Sequence, residues 1–300
     1  MTPDPAPKAP PEFVAGASGN RIAIDRYGPR DGAVVILLPG GGQRRQSWRR
    51  TGERLGADGW HAIAADLRGH GDSDPALDGD YGYDRLVDDV VTLIEASGRR
   101  AVLVGASLGG KIALSAAGAL PPGMIDALVL VDAVPRSVEN GVARVASILQ
   151  TPPEGFATPE AAAGMLAGPD GAVPAPDAVA RLRRNMRLDE AGRWHWHWDS
   201  WFFDPSHGLG IKPALARLEA AARRVAMPAL LMRGERSDVT DAAGAAALAA
   251  CIPHLETVVI EGAGHMIVGD RNDAFVATLI DFLHRHISAP GLVRCGISAS

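Results

Sequence analysis

Cysteine is nearly missing from this chain, with Cys251 and Cys295 the two in 300 residues. Two thiols are compatible with a reducing compartment, and these lie too far apart to form a metal site; none of the nine histidines has metal-ligand spacing either. No apolar run approaches the ~20 residues of a membrane-spanning helix. No basic tract or interleaving of basic and aromatic residues occurs, and the net charge is −5, so a nucleic-acid partner is not expected. No internal repeat is apparent. Residues Met1 to Pro11 hold five prolines and one lysine with no apolar stretch behind them. They read as a flexible tail, bounded here at 1–12, and not as a signal peptide, so the expected location is cytoplasmic.

What is present is concentrated around one serine. Val102, Leu103 and Val104 form an apolar run that breaks at Gly105, Ala106, Ser107, Leu108, Gly109. Downstream, Leu108, Ile112 and Ala116 recur at helical spacing, which predicts strand, sharp turn and helix in succession. Such a turn holds its serine in a strained backbone with the hydroxyl exposed above a sheet edge, while small residues let strand and helix approach.

A serine hydroxyl is a poor nucleophile at neutral pH, so it needs a base, and the base needs a group that orients it. Two later strand ends offer them. Ala229 to Met232 runs into Arg233, Gly234, Glu235, Arg236, Ser237, Asp238, where Asp238 is the first choice of acid. Asp132, which ends the strand Ala127 to Val131, and Glu235 are the alternatives. Thr257 to Ile260 runs into Glu261, Gly262, Ala263, Gly264, His265, where two glycines free the loop to aim an imidazole, and His265 is the candidate base.

Acyl transfer also needs donors aimed at a developing oxyanion, usually backbone N–H groups. One comes from Leu108, directly after the serine. The other is expected from Gly41, because the early strand Val34 to Leu38 runs into Pro39, Gly40, Gly41, Gly42, where backbone can approach a substrate with no Cβ in the way.

These residues resemble the α/β-hydrolase superfamily over roughly Ile22 to His286. The resemblance is carried by Gly40-Gly41-Gly42, by Asp66-Leu67-Arg68-Gly69-His70-Gly71-Asp72-Ser73, by the Gly105 to Gly109 turn, and by Asp238 and His265. It implies an α/β fold with a mostly parallel eight-stranded sheet flanked by helices and a helical cap. It also implies a nucleophile, acid and base in the order Ser107, Asp238, His265, with no cofactor and no metal. Many members carry a histidine where this chain has Pro39, so the hydrogen bonds that such a histidine makes in the oxyanion loop must be replaced or absent. Members that displace halide or open epoxides use an aspartate at the turn. Ser107 stands there in this chain and favours acyl chemistry.

Strand and helix patterns alternate along 13–134 and 212–287, the expected core, with 288–300 as a second tail. Ser47 is the expected cap of a helix from Trp48 to about Ala57. From Pro135 to about Ile211 the alternation breaks, over a length too great for a plain loop. This stretch, 135–211, reads as a cap inserted after the sixth strand, able to cover the catalytic edge. Trp194, Trp196, Trp198 and Trp201 lie in it; their spacing fits either an extended segment or a helical stripe. Trp198 and, beside the base, Met266 are candidate substrate contacts.

The function these readings imply is hydrolysis of a carboxylic ester or lactone of a small, partly apolar molecule. Carbon-carbon hydrolysis and cofactor-free perhydrolase or haloperoxidase chemistry are alternatives on the same residues, and a non-catalytic ligand-binding role is the alternative of a different class. Oligomeric state leaves no trace in the sequence.

Overall fold

The computed structural model describes residues 10–149, 152, 154–167, 176–183, 185–204 and 214–287. The chain begins β1 (Glu12–Ala15), β2 (Arg21–Tyr27), β3 (Val34–Leu38), α1 (Arg49–Ala57), β4 (His61–Ala65), α2 (Tyr83–Ser97), β5 (Ala101–Ala106), α3 (Leu108–Ala119) and β6 (Ile125–Val131). After β6 come α4 (Glu139–Leu149), α5 (Pro159–Ala167), α6 (Pro176–Arg183), β7 (Met186–Leu188) and β8 (Trp194–Trp196). The chain then returns through α7 (Leu215–Ala222), β9 (Ala229–Gly234), α8 (Ala242–Cys251), β10 (Glu256–Ile260), α9 (Ile267–Asp270) and α10 (Asn272–His286).

Eight strands make one sheet in the order β1-β2-β4-β3-β5-β6-β9-β10. The β1–β2 and β2–β4 pairs are antiparallel and the rest parallel. This is the mostly parallel eight-stranded sheet expected above. β3 is buried along its whole length, as a strand covered by helices on both faces must be. Its side chains divide by the two-residue period of a strand. Ile36 and Leu38 join a core with residues of α2, α3, α7 and α8. Val35 and Leu37 face Trp48, Leu55, Phe275, Leu279 and Phe282 on the other side.

Two expected boundaries shift. Ser47 caps no helix: a 3₁₀ turn over Arg45–Trp48 precedes α1, and the Ser47 hydroxyl donates back to the Arg44 carbonyl. The expected N-terminal tail ends earlier, because Glu12 already pairs with Ile24; the rest of that tail, residues 1–9, and the tail 288–300 lie outside the described residues.

The segment between β6 and α7 forms the insertion. Its described part comprises α4, α5, α6, the antiparallel hairpin β7–β8 and a 3₁₀ turn at Ser200–Phe203, around a small core of Leu149, Phe156, Ala162, Met186, Trp196 and Trp198. The tryptophan segment is therefore extended at 194–196 and then turns, with Asp199 accepting from the Trp201 N–H. Among the described residues no helix is long and apolar enough to cross a membrane.

Candidate active site

Ser107 stands between β5 and α3 at φ 49°, and among the described residues the one other non-glycine with positive φ is Asp132, at 48°. Each such conformation costs on the order of 1–3 kcal/mol and persists only where its surroundings enforce it. Here the packing enforces it. A Cβ on Gly109 would lie 2.4 Å from the Pro39 carbonyl oxygen, so α3 leaves the turn in contact with the end of β3.

The sheet register brings Ser107 and Asp132 side by side. Ala106 of β5 pairs with Val131 of β6, and the next residue on each strand is one of these two. His265 follows β10, on the far side of β9. Its Nδ1 lies 2.6 Å from Asp132 Oδ2 and its Nε2 3.1 Å from Ser107 Oγ. A carboxylate can only accept, so Nδ1 carries the proton and Nε2 is free to accept from the serine hydroxyl. The Asp132 and His265 side chains are 1% and 9% exposed.

Asp132 is fixed from two further directions. Its Oδ1 accepts from the Gly234 N–H at 3.0 Å, and its Oδ2 accepts from the Ser237 hydroxyl at 2.5 Å. Ser237 Oγ itself accepts from the N–H groups of Val239 and Thr240, which directs its hydrogen to the carboxylate.

Asp238, the acid expected from the sequence, is not the partner of His265. Arg144 of α4 holds both its oxygens, at 2.6 and 3.0 Å, and keeps its carboxyl below the ordinary aspartate range. Its side chain is 46% exposed. The place facing the imidazole is filled by Asp132, one residue past the end of β6, whereas Asp238 lies four residues past Gly234 in a loop that bends toward solvent. Glu235 accepts from the Gly262 N–H at 2.8 Å and so steadies the loop that carries His265.

The expected oxyanion loop lies against the serine. A Cβ on Gly40 would sit 3.4 Å from Ser107 Cβ, and one on Gly41 3.4 Å from Leu108 Cδ2. Neither the Gly41 nor the Leu108 N–H has an acceptor among the described residues. Two backbone donors without acceptors thus lie close in the chain and in space to the Ser107 hydroxyl, groups of the kind able to stabilise a tetrahedral oxyanion.

The insertion roofs this loop. Phe203, which adjoins the tryptophans in the sequence and was not chosen from among them as a substrate contact, lies 3.2 Å from a Cβ built on Gly41, and Trp198 lies 3.2 Å from one built on Gly42. Trp198 is buried and stacked on Trp196, with centroids 5.1 Å apart, so its ring packs the segment between β6 and α7 onto the Gly40–Gly42 loop. The signal for Phe203 was its adjacency to the tryptophan cluster. Met266 is 48% exposed, and its Sδ accepts from Gln43 Nε2 at 3.2 Å. Among the described residues no group of three or more His, Cys, Asp or Glu is placed to hold a metal ion.

Comparisons with known proteins bear on the fold and the family. A family model described as the alpha/beta hydrolase fold matches residues 33–271. The N-formylmaleamate deformylase of Pseudomonas putida is 32% identical over 280 residues, covering 90% of this chain and 97% of that protein. An esterase of Mycobacterium tuberculosis is 29% identical over 253 residues, covering 81% of this chain and 80% of that protein. The crystal structure of an E-2-(acetamidomethylene)succinate hydrolase superposes with a TM-score of 0.74 at 25% identity, covering 91% of this chain and all of that one.

Proposed function

Since this chain belongs to the alpha/beta hydrolase fold family, among relatives that are hydrolases, we propose that it is a serine hydrolase cleaving a carboxylic ester or lactone of a small, partly apolar substrate. The observation that carries the reading is the hydrogen-bonded series Ser107, His265, Asp132; the Gly41 and Leu108 N–H groups beside it have no acceptor among the described residues.

In this reading His265 Nε2 takes the Ser107 proton as Oγ attacks the carbonyl carbon. The oxyanion is held by the N–H groups of Gly41 and Leu108. Asp132 keeps the proton on Nδ1 and stabilises the imidazolium. Collapse of the intermediate breaks the bond to the leaving group, which receives the proton from His265 and leaves Ser107 acylated. A water then gives a proton to His265 and its oxygen to the acyl carbon, releasing the acid and restoring Ser107. Phe203 and Leu108 lie beside Gly41, 3.2 and 3.4 Å from the place a Cβ would take, an apolar surrounding that supports a partly apolar substrate.

A second reading, cleavage of a small N-acyl bond, is favoured by the relatives named for N-formyl and acetamido compounds. It uses the same residues, with His265 protonating a nitrogen instead of an oxygen.

The test is labelling by a fluorophosphonate, read by mass spectrometry on intact protein, Ser107→Ala and His265→Ala. It is followed by turnover of p-nitrophenyl esters of increasing acyl length beside N-formyl and N-acetyl enamides. Labelling is expected only with Ser107 and His265 intact, and Ser107→Ala is expected to lose on the order of 10⁶ in kcat. Undiminished turnover by Ser107→Ala would overturn the reading. Preference for the enamides would select the second one.

A further inference from the structure

Gly42 is gripped at both of its peptide groups by histidines from two different parts of the molecule. Its N–H donates to His70 Nε2 at 3.0 Å, and its carbonyl lies 3.2 Å from Nε2 of His197, which the cap supplies. The tautomers follow from the other ring nitrogens. His70 Nδ1 lies 3.1 Å from the Arg68 carbonyl, so it is the donor there and Nε2 is left to accept. His197 Nδ1 accepts from the Gly71 N–H at 2.9 Å, so its Nε2 carries the proton and donates to Gly42. Each ring thus bridges two backbone groups that require one donor and one acceptor, which only the neutral imidazole provides. Burial pushes His70 down to about 4 and His197 to about 2, so both rings stay neutral near neutral pH.

The grip acts where the oxyanion loop needs it. Gly42 adopts φ +71°, and a Cβ there would lie 2.3 Å from Leu149 Cδ2, so residue 42 itself can carry no side chain. Within the loop Gln43 Oε1 accepts from the Gly40 N–H at 3.4 Å and the Gln43 N–H donates to the Gly40 carbonyl at 3.1 Å, which leaves the peptides after Gly41 to the two histidines. Pro39 offers the loop no side-chain hydrogen bond. The peptides fixed by the two histidines flank Gly42, immediately after the residue whose N–H is the proposed second oxyanion donor, so their orientation constrains the direction of the Gly41 N–H. His197 is itself held by its N–H on the Asn185 carbonyl, and the adjoining Asp199 N–H donates to the Gly69 carbonyl.

We infer that His197 is a positioning residue by which the docked cap aims the oxyanion hole: its Nε2–H fixes the Gly42 carbonyl and thereby the Gly41 donor. The inference rests on the hydrolase reading above. It means that the cap contributes to turnover as well as to substrate selection, and that a displaced cap leaves Ser107, His265 and Asp132 intact while loosening the donor.

The two hydrogen bonds of His197 separate by substitution. An asparagine amide falls near the Nδ1 position and can keep the bond from Gly71; a glutamine amide falls near Nε2 and can keep the bond to Gly42. Steady-state kinetics on the best ester or N-acyl substrate, together with hydrogen exchange of the 40–43 segment, are measured for full-length wild type, His197→Asn and His197→Gln. His197→Asn is expected to lose about 10- to 100-fold in kcat, less than outright removal of an oxyanion donor, with KM within about twofold and faster exchange at 40–43. His197→Gln is expected to recover most of both. Glutamine no better than asparagine, or a loss in KM with kcat intact, would overturn the inference. If the wild type turns over no acyl substrate, the hydrolase reading fails by itself, and the exchange arm still decides whether His197 holds the loop.

Discussion

The loops after β6 and β9 each carry an aspartate at the same edge of the sheet, yet the two carboxylates live in opposite environments. Asp132 is 1% exposed, meets three hydrogen-bond donors and sits at a strained φ of 48°. Asp238 is 46% exposed and is answered by one arginine. A buried carboxylate costs several kcal/mol unless donors replace its water, so the Asp132 site must be built by several elements at once. The Gly234 N–H at the end of β9, the Ser237 hydroxyl in the loop that follows it and His265 do this. The end of β9 and the loop after it supply supports of the carboxylate that meets His265, and not that carboxylate. Which carboxylate meets His265 is thus decided by what the surroundings enclose, and chain order alone does not reveal it.

The contrast is broken most directly by exchanging charge at each position. Asp132→Asn keeps the shape but offers His265 an amide that can impose the wrong tautomer, and a loss of about 10⁴ in kcat is expected. Asp238→Asn, measured in the same assay, is expected to stay within about threefold of wild type, as for an exposed group outside the proton path. The reverse order would place the acid at Asp238. A smaller effect tests the support itself. Ser237→Ala removes one donor to a carboxylate, a bond worth about 1.5–3 kcal/mol, and only part of that is expressed in the transition state; about 10-fold in kcat with little change in KM is expected. An unchanged kcat would mean that Gly234 and His265 suffice to hold Asp132.

How much of this was legible in the sequence follows from which constraints are local. The turn at Ser107 announced itself because strand, glycines and helix are contiguous, and His265 because its two glycines directly follow β10. The alternation of strands and helices placed the sheet and located the insertion after β6 for the same reason. The identity of the carboxylate that faces His265 was not local. Asp132 was among the candidates, but its priority depends on a strand register and a positive φ, neither of which has a composition signature. One cue did exist: Asp132 follows its strand immediately, as Ser107 does, while Asp238 trails its strand by four residues. The grip of His70 and His197 on Gly42 was beyond reach, since it joins residues 42, 70 and 197 across three separate parts of the chain. Trp198 and Phe203 illustrate the same limit inside one aromatic cluster, where the spacing announced packing without revealing which ring meets Gly42 and which meets Gly41.

The smallest expected effect concerns stability at the exposed member of the pair. Arg144 holds the Asp238 carboxyl below its ordinary value, so the unfolded chain takes up a proton at that group at higher pH than the folded protein does. The contribution of the pair is therefore present above the unfolded aspartate pKa of about 3.9 and fades as the pH falls through the lower folded value. With both side chains about half exposed, solvent screening limits it to roughly 0–1 kcal/mol. Asp238→Asn should lower the denaturation midpoint slightly at pH 7, by an amount that shrinks in high salt and vanishes at acid pH. Because the pair ties α4 of the cap to the loop that carries Ser237, the loss should be accompanied by faster hydrogen exchange in α4. A destabilisation that persists undiminished below pH 3 would mean that the asparagine disturbs the packing of α4 on that loop, where a Cβ on Gly141 would lie 2.0 Å from the Asp238 carbonyl oxygen, and not the charge pair.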